Sequence, residues 1–170
     1  MAPSAPASAG PNDAEPVGRD DVDLGASAEL AGFMLRMSQL KLFESFFAHL
    51  GDEGVRPGEI TILMAIGRNP GIRQGVLADA LKIKWSNMAK IVRQLEDAGL
   101  LTRAVPPSDR RAVELFLTDK GRALSERLLP RLFASDRAAM ANLSDSECRT
   151  LLALLHKLVG TGGAPGAGQC

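Results

Sequence analysis

The sequence predicts a mainly α-helical chain that carries one small β-hairpin. Three observations support this. Apolar residues recur every three or four positions through most of residues 27–159, the spacing of a helix with one buried face. Only between Leu100 and Leu117 does the period fall to two, as in a half-buried strand. Gly, Pro, Asn and Ser-Asp clusters punctuate the pattern and mark turns between the elements.

Taken in order, residues 1–26 are rich in Ala, Pro, Ser, Gly and Asp and hold almost nothing large to bury, so a disordered tail is expected. A first helix is expected over 27–49, with Leu30, Phe33, Met34, Met37, Leu40, Phe43, Phe47 and Leu50 at helical spacing. Gly51 and Gly54 mark a loop. Pro57 suits the first position of a second helix, with Glu59 near its positive end. Its buried face is Ile60, Leu63, Met64 and Ile66–Gly67, and Asn69-Pro70-Gly71 ends it.

A short helix over 73–81 and another over 85–98 follow, separated by a turn at Lys82–Lys84. Gly99 sits where a left-handed cap is expected. Two helices joined by a short turn make a helix-turn-helix candidate. Residues 100–105 and 112–117 read as strands around a Pro106-Pro107-Ser108-Asp109 loop, a hairpin with a basic rim. Thr118 caps a long helix, in which Pro130 predicts a kink near Glu126–Leu129. Ser144 and Glu147 form a capping box for a last helix. Its stripe of Leu151, Leu152, Leu154, Leu155, Leu158 and Val159 is too wide for one-sided packing. Together with the first helix, that stripe predicts burial against a second subunit. Residues 160–170 are a second tail.

The chain has 170 residues and is 45% hydrophobic, enough for one ordinary domain with tails. Twenty Lys and Arg balance twenty Asp and Glu, which excludes a polycation and an acidic solvating protein. The balance hides an asymmetry. Residues 82–111 carry seven basic side chains against three acidic ones, while residues 1–26 carry five acidic against one basic. A local basic stripe is the footprint to expect of a nucleic-acid binder. No apolar run reaches the roughly 18 residues of a membrane span, and the N-terminus lacks the pattern of a secretory signal. Cys148 and Cys170 make no disulfide framework or CxxC site, so a cytoplasmic location is the default.

The order helix, helix-turn-helix, hairpin, long helices is that of a winged-helix regulator. The run Asp109-Arg110-Arg111-Ala112-Val113-Glu114-Leu115-Phe116-Leu117-Thr118 resembles the wing motif of the MarR family (multiple antibiotic resistance regulators). In that motif Leu115 stands where Val is commoner. Residues 95–103, Leu-Glu-Asp-Ala-Gly-Leu-Leu-Thr-Arg, resemble the end of the family's recognition helix and the entry to its wing. Pro70-Gly71, Gln74, Leu77-Ala78 and Leu81 match the helix before it. The resemblance covers about residues 28–159. Arg73, Gly75, Lys84 and Trp85 depart from the usual residues at the starts of the two helices.

The resemblance implies a winged helix-turn-helix over 56–118, with dimerisation helices over 27–55 and 119–159. It implies a homodimeric regulator, a repressor, that binds a near-palindromic double-stranded operator and is released by a small ligand. The DNA-binding residues expected are Gln74, Lys84, Trp85, Ser86, Asn87, Lys90, Arg93, Asp109, Arg110 and Arg111. Asn suits adenine, and Lys suits guanine or phosphate. Arg111 is placed to enter the minor groove, held by Asp109, with Arg110 on phosphate. Trp85 has two readings: packing on the preceding helix, or contact with sugar, phosphate or a thymine methyl.

Dimer contacts are expected at Leu30, Leu151, Leu154, Leu155 and Leu158. The ligand site is expected at Phe33, Met34, Met37, Leu40, Phe43, Ile62 and Ile66, with Arg36, Lys41 and Arg73 supplying positive charge. That mix suits an apolar or aromatic body with an anionic group. Residues 32–40 also resemble the first helix of members that answer to hydroxycinnamoyl-CoA thioesters, which implies an aromatic acid or its CoA thioester as effector. The sequence offers no nucleophile–base pair, phosphate loop or metal-ligand spacing, so neither an enzyme nor a cofactor is expected. His49 and His156 read as ordinary residues and Cys148 as a small buried hydrophobe. The family's peroxide-sensing members have a cysteine in the first helix, and this chain has none there. Three alternatives remain: a partner-binding helical module, a redox sensor, and a regulator answering to an uncharged compound.

Overall fold

The computed structural model describes residues 22–107, 109–110 and 112–160. The tail expected over 1–26 lies almost wholly outside these residues, as do Ser108, Arg111 and residues 161–170 with Cys170. The chain falls into two compact units, Met1–Ser38 and Gln39–Cys170. The described part of the first holds a 3-10 turn, Gly25–Glu29, and the start of helix α1 (Ala31–Leu50). The first helix thus begins four residues later than the periodicity predicts.

The second unit carries the rest. After a 3-10 turn at Gly51–Glu53 come α2 (Pro57–Arg68), β1 (Ile72–Arg73), α3 (Gln74–Ala80), α4 (Trp85–Asp97), β2 (Leu101–Ala104), β3 (Glu114–Leu117), α5 (Asp119–Ala139) and α6 (Asp145–Val159). Helices α2, α5 and α6 start where local chemistry provides for their free N–H groups. Pro57 opens α2, and the Arg56 N–H donates to Glu59 Oε2 at 2.8 Å. Thr118 Oγ1 accepts from the Gly121 N–H at 3.0 Å to open α5. Ser144 and Glu147 form the reciprocal box that opens α6. Helix α5 runs as one helix through Pro130.

The sheet has three antiparallel strands in the order β1-β3-β2, one more than the predicted hairpin. The extra strand pairs Ile72 with Leu115 and Arg73 with Glu114. Gly71, at φ +80°, turns the chain into it. A side chain there would meet the Phe116 ring at 3.3 Å, so the position suits glycine twice over. The pairing also compensates for the poor cap of α3. Arg73 gives no side-chain cap, but the Gln74 N–H donates to Val113 O at 2.8 Å.

Two apolar clusters hold the second unit together. The larger joins Ile62, Leu63 and Ile66 of α2, Leu77 and Ala78 of α3, Met88, Val92 and Leu95 of α4, and Leu100, Leu101 and Leu115 around the sheet. The smaller joins Phe46, Leu50, Val55, Ile60 and Leu128. Burying each such side chain is worth about 1.5–3 kcal/mol, and the larger cluster fixes α4 against α3 and the sheet.

At the end of α4 the chain turns through Gly99, left-handed at φ +70° as its position predicts. Here α5 docks onto the residues that end α4 almost backbone to backbone. Thr118 Oγ1 donates to Gly99 O at 2.7 Å, the Thr118 N–H to Leu100 O at 3.2 Å, and Lys120 Nζ to Ala98 O at 2.8 Å. A Cβ on Gly121 would lie 1.9 Å from Leu100 O, so no other residue fits there without moving the helix. No helix among the described residues is long and apolar enough to cross a membrane.

Candidate nucleic-acid interface

Helix α4 is divided along its length. Met88, Val92 and Leu95 are buried in the core. Trp85, Ser86, Asn87, Lys90 and Arg93 are exposed. The helix is anchored by its apolar stripe and offers amide, hydroxyl and cationic groups outward. Those are the groups that hydrogen-bond base edges and phosphates.

Other cations extend the surface. Lys84 is the residue just before α4, and Lys82 stands two earlier at φ +54°. Both are exposed, and Lys82 was not among the sequence-predicted contacts. The one signal for it was its place in the turn. Arg103 of β2 is exposed but paired: its Nε donates to Glu96 Oε2 at 2.8 Å and its NH2 lies 2.5 Å from the same oxygen. That pair ties the end of α4 to the wing.

The wing's Asp109 lies 3.4 Å from Arg73, at the start of α3. The sequence had assigned Arg73 to a ligand and Asp109 to Arg111. Arg111 itself lies outside the described residues, and Arg110 is exposed. Gln74 is only 4% exposed. It therefore leaves the set of groups facing outward.

Of the sequence-predicted ligand residues, Phe33, Met34, Arg36 and Met37 lie in the first unit and Leu40, Lys41 and Phe43 in the second, all on α1. Ile62 and Ile66 are fully buried in the larger core cluster; their 3.6-residue period marked the core, not an open site. The second unit has a cavity of 330 Å³ between α2, β3 and α5. Its walls are Leu63, Met64 and Gly67 with Arg68 from α2, Leu117 of β3, and Arg122, Ser125, Glu126 and Leu129 of α5. None of these was predicted. The available signal was Arg122 and Glu126 four apart on one helix face, opposite Arg68 in the last turn of α2.

Of the expected dimer residues, Leu30 (60%), Leu154 (59%) and Leu158 (67%) are well exposed, Leu151 is exposed, and Leu155 is half-buried. Cys148 is buried and free. Among the described residues no group of three His, Cys, Asp or Glu side chains is placed to hold a metal ion.

Residues 53–112 match the profile of the MarR family. A putative transcriptional regulatory protein for the hcr operon of Thauera aromatica is 38% identical over 135 residues, covering 79% of this chain and 81% of that protein. An HTH-type transcriptional repressor of Mycobacterium bovis is 30% identical, covering 82% and 95%. Among solved structures, the transcriptional repressor CouR bound to a 23-mer DNA duplex superposes with a TM-score of 0.74 at 32% identity, covering 81% of this chain and 98% of that one. These relatives regulate transcription rather than catalyse reactions. The divided recognition helix, the three-stranded wing and these relatives together make the chain a member of the MarR family of winged-helix transcriptional regulators.

Proposed function

We propose that the protein is a homodimeric repressor that holds a near-palindromic operator through two copies of α4 and lets go when a small anionic aromatic compound binds. The observation that supports this best is the division of α4: an exposed row of Ser86, Asn87, Lys90 and Arg93 on a helix locked into the core by Met88, Val92 and Leu95. The similarity to a repressor solved on a DNA duplex supports the same use of that row. In this reading Asn87 reads a base, Lys90 and Arg93 contact phosphate or guanine, and Lys84 and Arg110 contact backbone. Arg111 reaches the minor groove. Asp109, paired with Arg73, sets the base of the wing.

The dimer reading is supported by apolar side chains left uncovered on α1 and α6. One winged helix alone offers too few base contacts for tight specific binding. The ligand reading is supported by the cavity beside α5, whose apolar lining is joined by Arg68, Arg122, Ser125 and Glu126, two cations to one carboxylate. Its volume is at the lower end of the roughly 300–1,000 Å³ typical of small-molecule sites. It suits an aromatic ring with a carboxylate; the nucleotide of a CoA thioester would lie outside, on the basic surface.

Electrophoretic retardation of operator duplexes across a salt series tests the DNA reading. Lys90→Ala and Arg93→Ala should each flatten the salt slope by about one counterion, and Asn87→Ala should relax base preference at one position per half-site. If all three leave operator affinity unchanged, the assignment of α4 is wrong. Titration of the same complex with free aromatic acids and their CoA esters tests the ligand. Driving the population from 1:99 to 99:1 takes about 5.5 kcal/mol of preference for the released state. Release by uncharged compounds alone rejects the anionic class.

A further inference from the structure

We propose that Trp85 reads the C5-methyl group of one thymine in each operator half-site, an inference that rests on the DNA-binding reading above. Trp85 is the first residue of α4 and is 56% exposed. It continues the core stripe of Met88, Val92 and Leu95 by one further turn, but the α3–α4 pair ends before covering it. One edge of the indole lies near α3: a Cβ added to Gly75 would lie 3.8 Å from Trp85 Cζ3, an ordinary van der Waals distance. The missing side chain at Gly75 thus leaves a space of about one methyl group beside this edge of the ring, while most of the ring's surface stays open.

The surroundings make this surface anomalous. Lys82 and Lys84 precede it, and Ser86, Asn87 and Lys90 follow, all exposed. A large apolar ring at the front of a polar, cationic helix face calls for an apolar counterpart. The early residues of a recognition helix face base edges in the major groove. There the four bases present donors, acceptors and a single apolar group, the thymine methyl. Gly75 in place of a larger side chain leaves the ring room to sit low against α3 and present its edge forward.

The experiment uses the full chain and an operator selected by it from random duplexes. Each thymine is then replaced by deoxyuridine, which deletes the methyl alone. Wild-type affinity should fall about fourfold at one thymine position in a single half-site, the effect of one lost methyl contact, and about fifteenfold when both half-sites are changed. Trp85→Ala should bind the thymine and deoxyuridine duplexes equally, and Trp85→Phe should keep part of the difference. Gly75→Val, which pushes the ring off its seat without removing it, should also lose it. As the chain's only Trp, Trp85 should change its emission when the selected operator binds.

If no thymine position responds in the wild type, or if Trp85→Ala keeps the full response while melting like wild type, the inference is overturned and the DNA-binding reading stands. If the wild type selects no sequence at all, both fall together.

Discussion

The lobe around α4 and the helices that bracket the chain use the same sequence signal to opposite ends. In the lobe, most apolar residues at helical spacing are buried: Ile62, Leu63, Ile66, Leu77, Met88 and Val92 are all fully enclosed, with Val76 and Trp85 the exposed exceptions in α3 and α4. In α1 the same spacing buries only Phe46 and Leu50 of twenty residues, and in α6 only Cys148 of fifteen. Yet α6 has the better-made ends, with a capping box at Ser144 and a left-handed Gly160. The lobe is specified by its own core. The outer helix is specified by local chemistry at its termini and keeps its apolar surface for something else. Hydrophobic periodicity reports that a face will be covered, not by which chain.

The largest test of this contrast is one substitution at two helical glycines. Gly121→Ala drives a methyl into Leu100 O and should cost about 4 kcal/mol or more. Gly32→Ala, with nothing within 4 Å of the added carbon, should gain up to about 1 kcal/mol from helix propensity. Denaturant melts measure both, and equal stability of Gly121→Ala and wild type would refute the backbone docking.

Met88→Ala should cost about 2–5 kcal/mol, as core truncations do, whereas Leu158→Ala should leave the lobe's melting within about 0.5 kcal/mol. The sharper test of the outer helix is charge. Leu154→Asp should cost the association about 2 kcal/mol or more, so that at micromolar concentration the protein sediments as a monomer with its lobe still folded. A dimer that survives this change means α6 is not its interface.

The smallest effect is in acid. Glu53 is clasped by Arg127, with a bond of 2.8 Å between NH2 and Oε2, and by Arg131. The Arg127 hydrogen bond, assisted by the charges of both arginines, holds its pKa below the usual carboxylate range. A lowered folded-state pKa means the contribution is complete above the unfolded value and fades as pH falls through the folded one. The clasp of α5 onto the Gly51–Glu53 turn should therefore loosen below the ordinary carboxylate range. Glu53→Gln should remove that part of the acid dependence, read as amide exchange along α5.

What the sequence made legible was local. Pro57, Ser144 and Gly99, and Thr118 in its role as cap of α5, each act within four residues of themselves, and each starts or ends an element where its chemistry says it should. What it hid was set by partners far along the chain. The two residues of β1 are a strand only because β3 lies beside them. The Glu53 clasp spans more than seventy positions. Arg73 carries a pairing with Asp109 of the wing, more than thirty positions away, that no local pattern announced. Gln74, Ile62 and Ile66 carried the right chemistry or spacing for a site, and packing assigned them to the interior. The outward row of α4 was legible because amphipathic spacing there is unbroken, whereas the cavity is made by three elements that no sequence window contains.

Gly121 has one further consequence, which is mechanical. With no side chain as a cushion, α5 and the end of α4 meet as two rigid rods at a shared joint. At 1.5 Å per residue, the 21 residues of α5 form an arm about 31 Å long, and α4 one of about 20 Å. A tilt of about 5° at the joint moves the far end of α5 by about 3 Å and the front of α4 by about 2 Å. Hydrogen bonds to bases survive only a few tenths of an ångström of stretch. In the proposed repressor, a lever of this kind would leave the groove through a change of angle alone, with every helical residue still helical, so circular dichroism would register nothing on release.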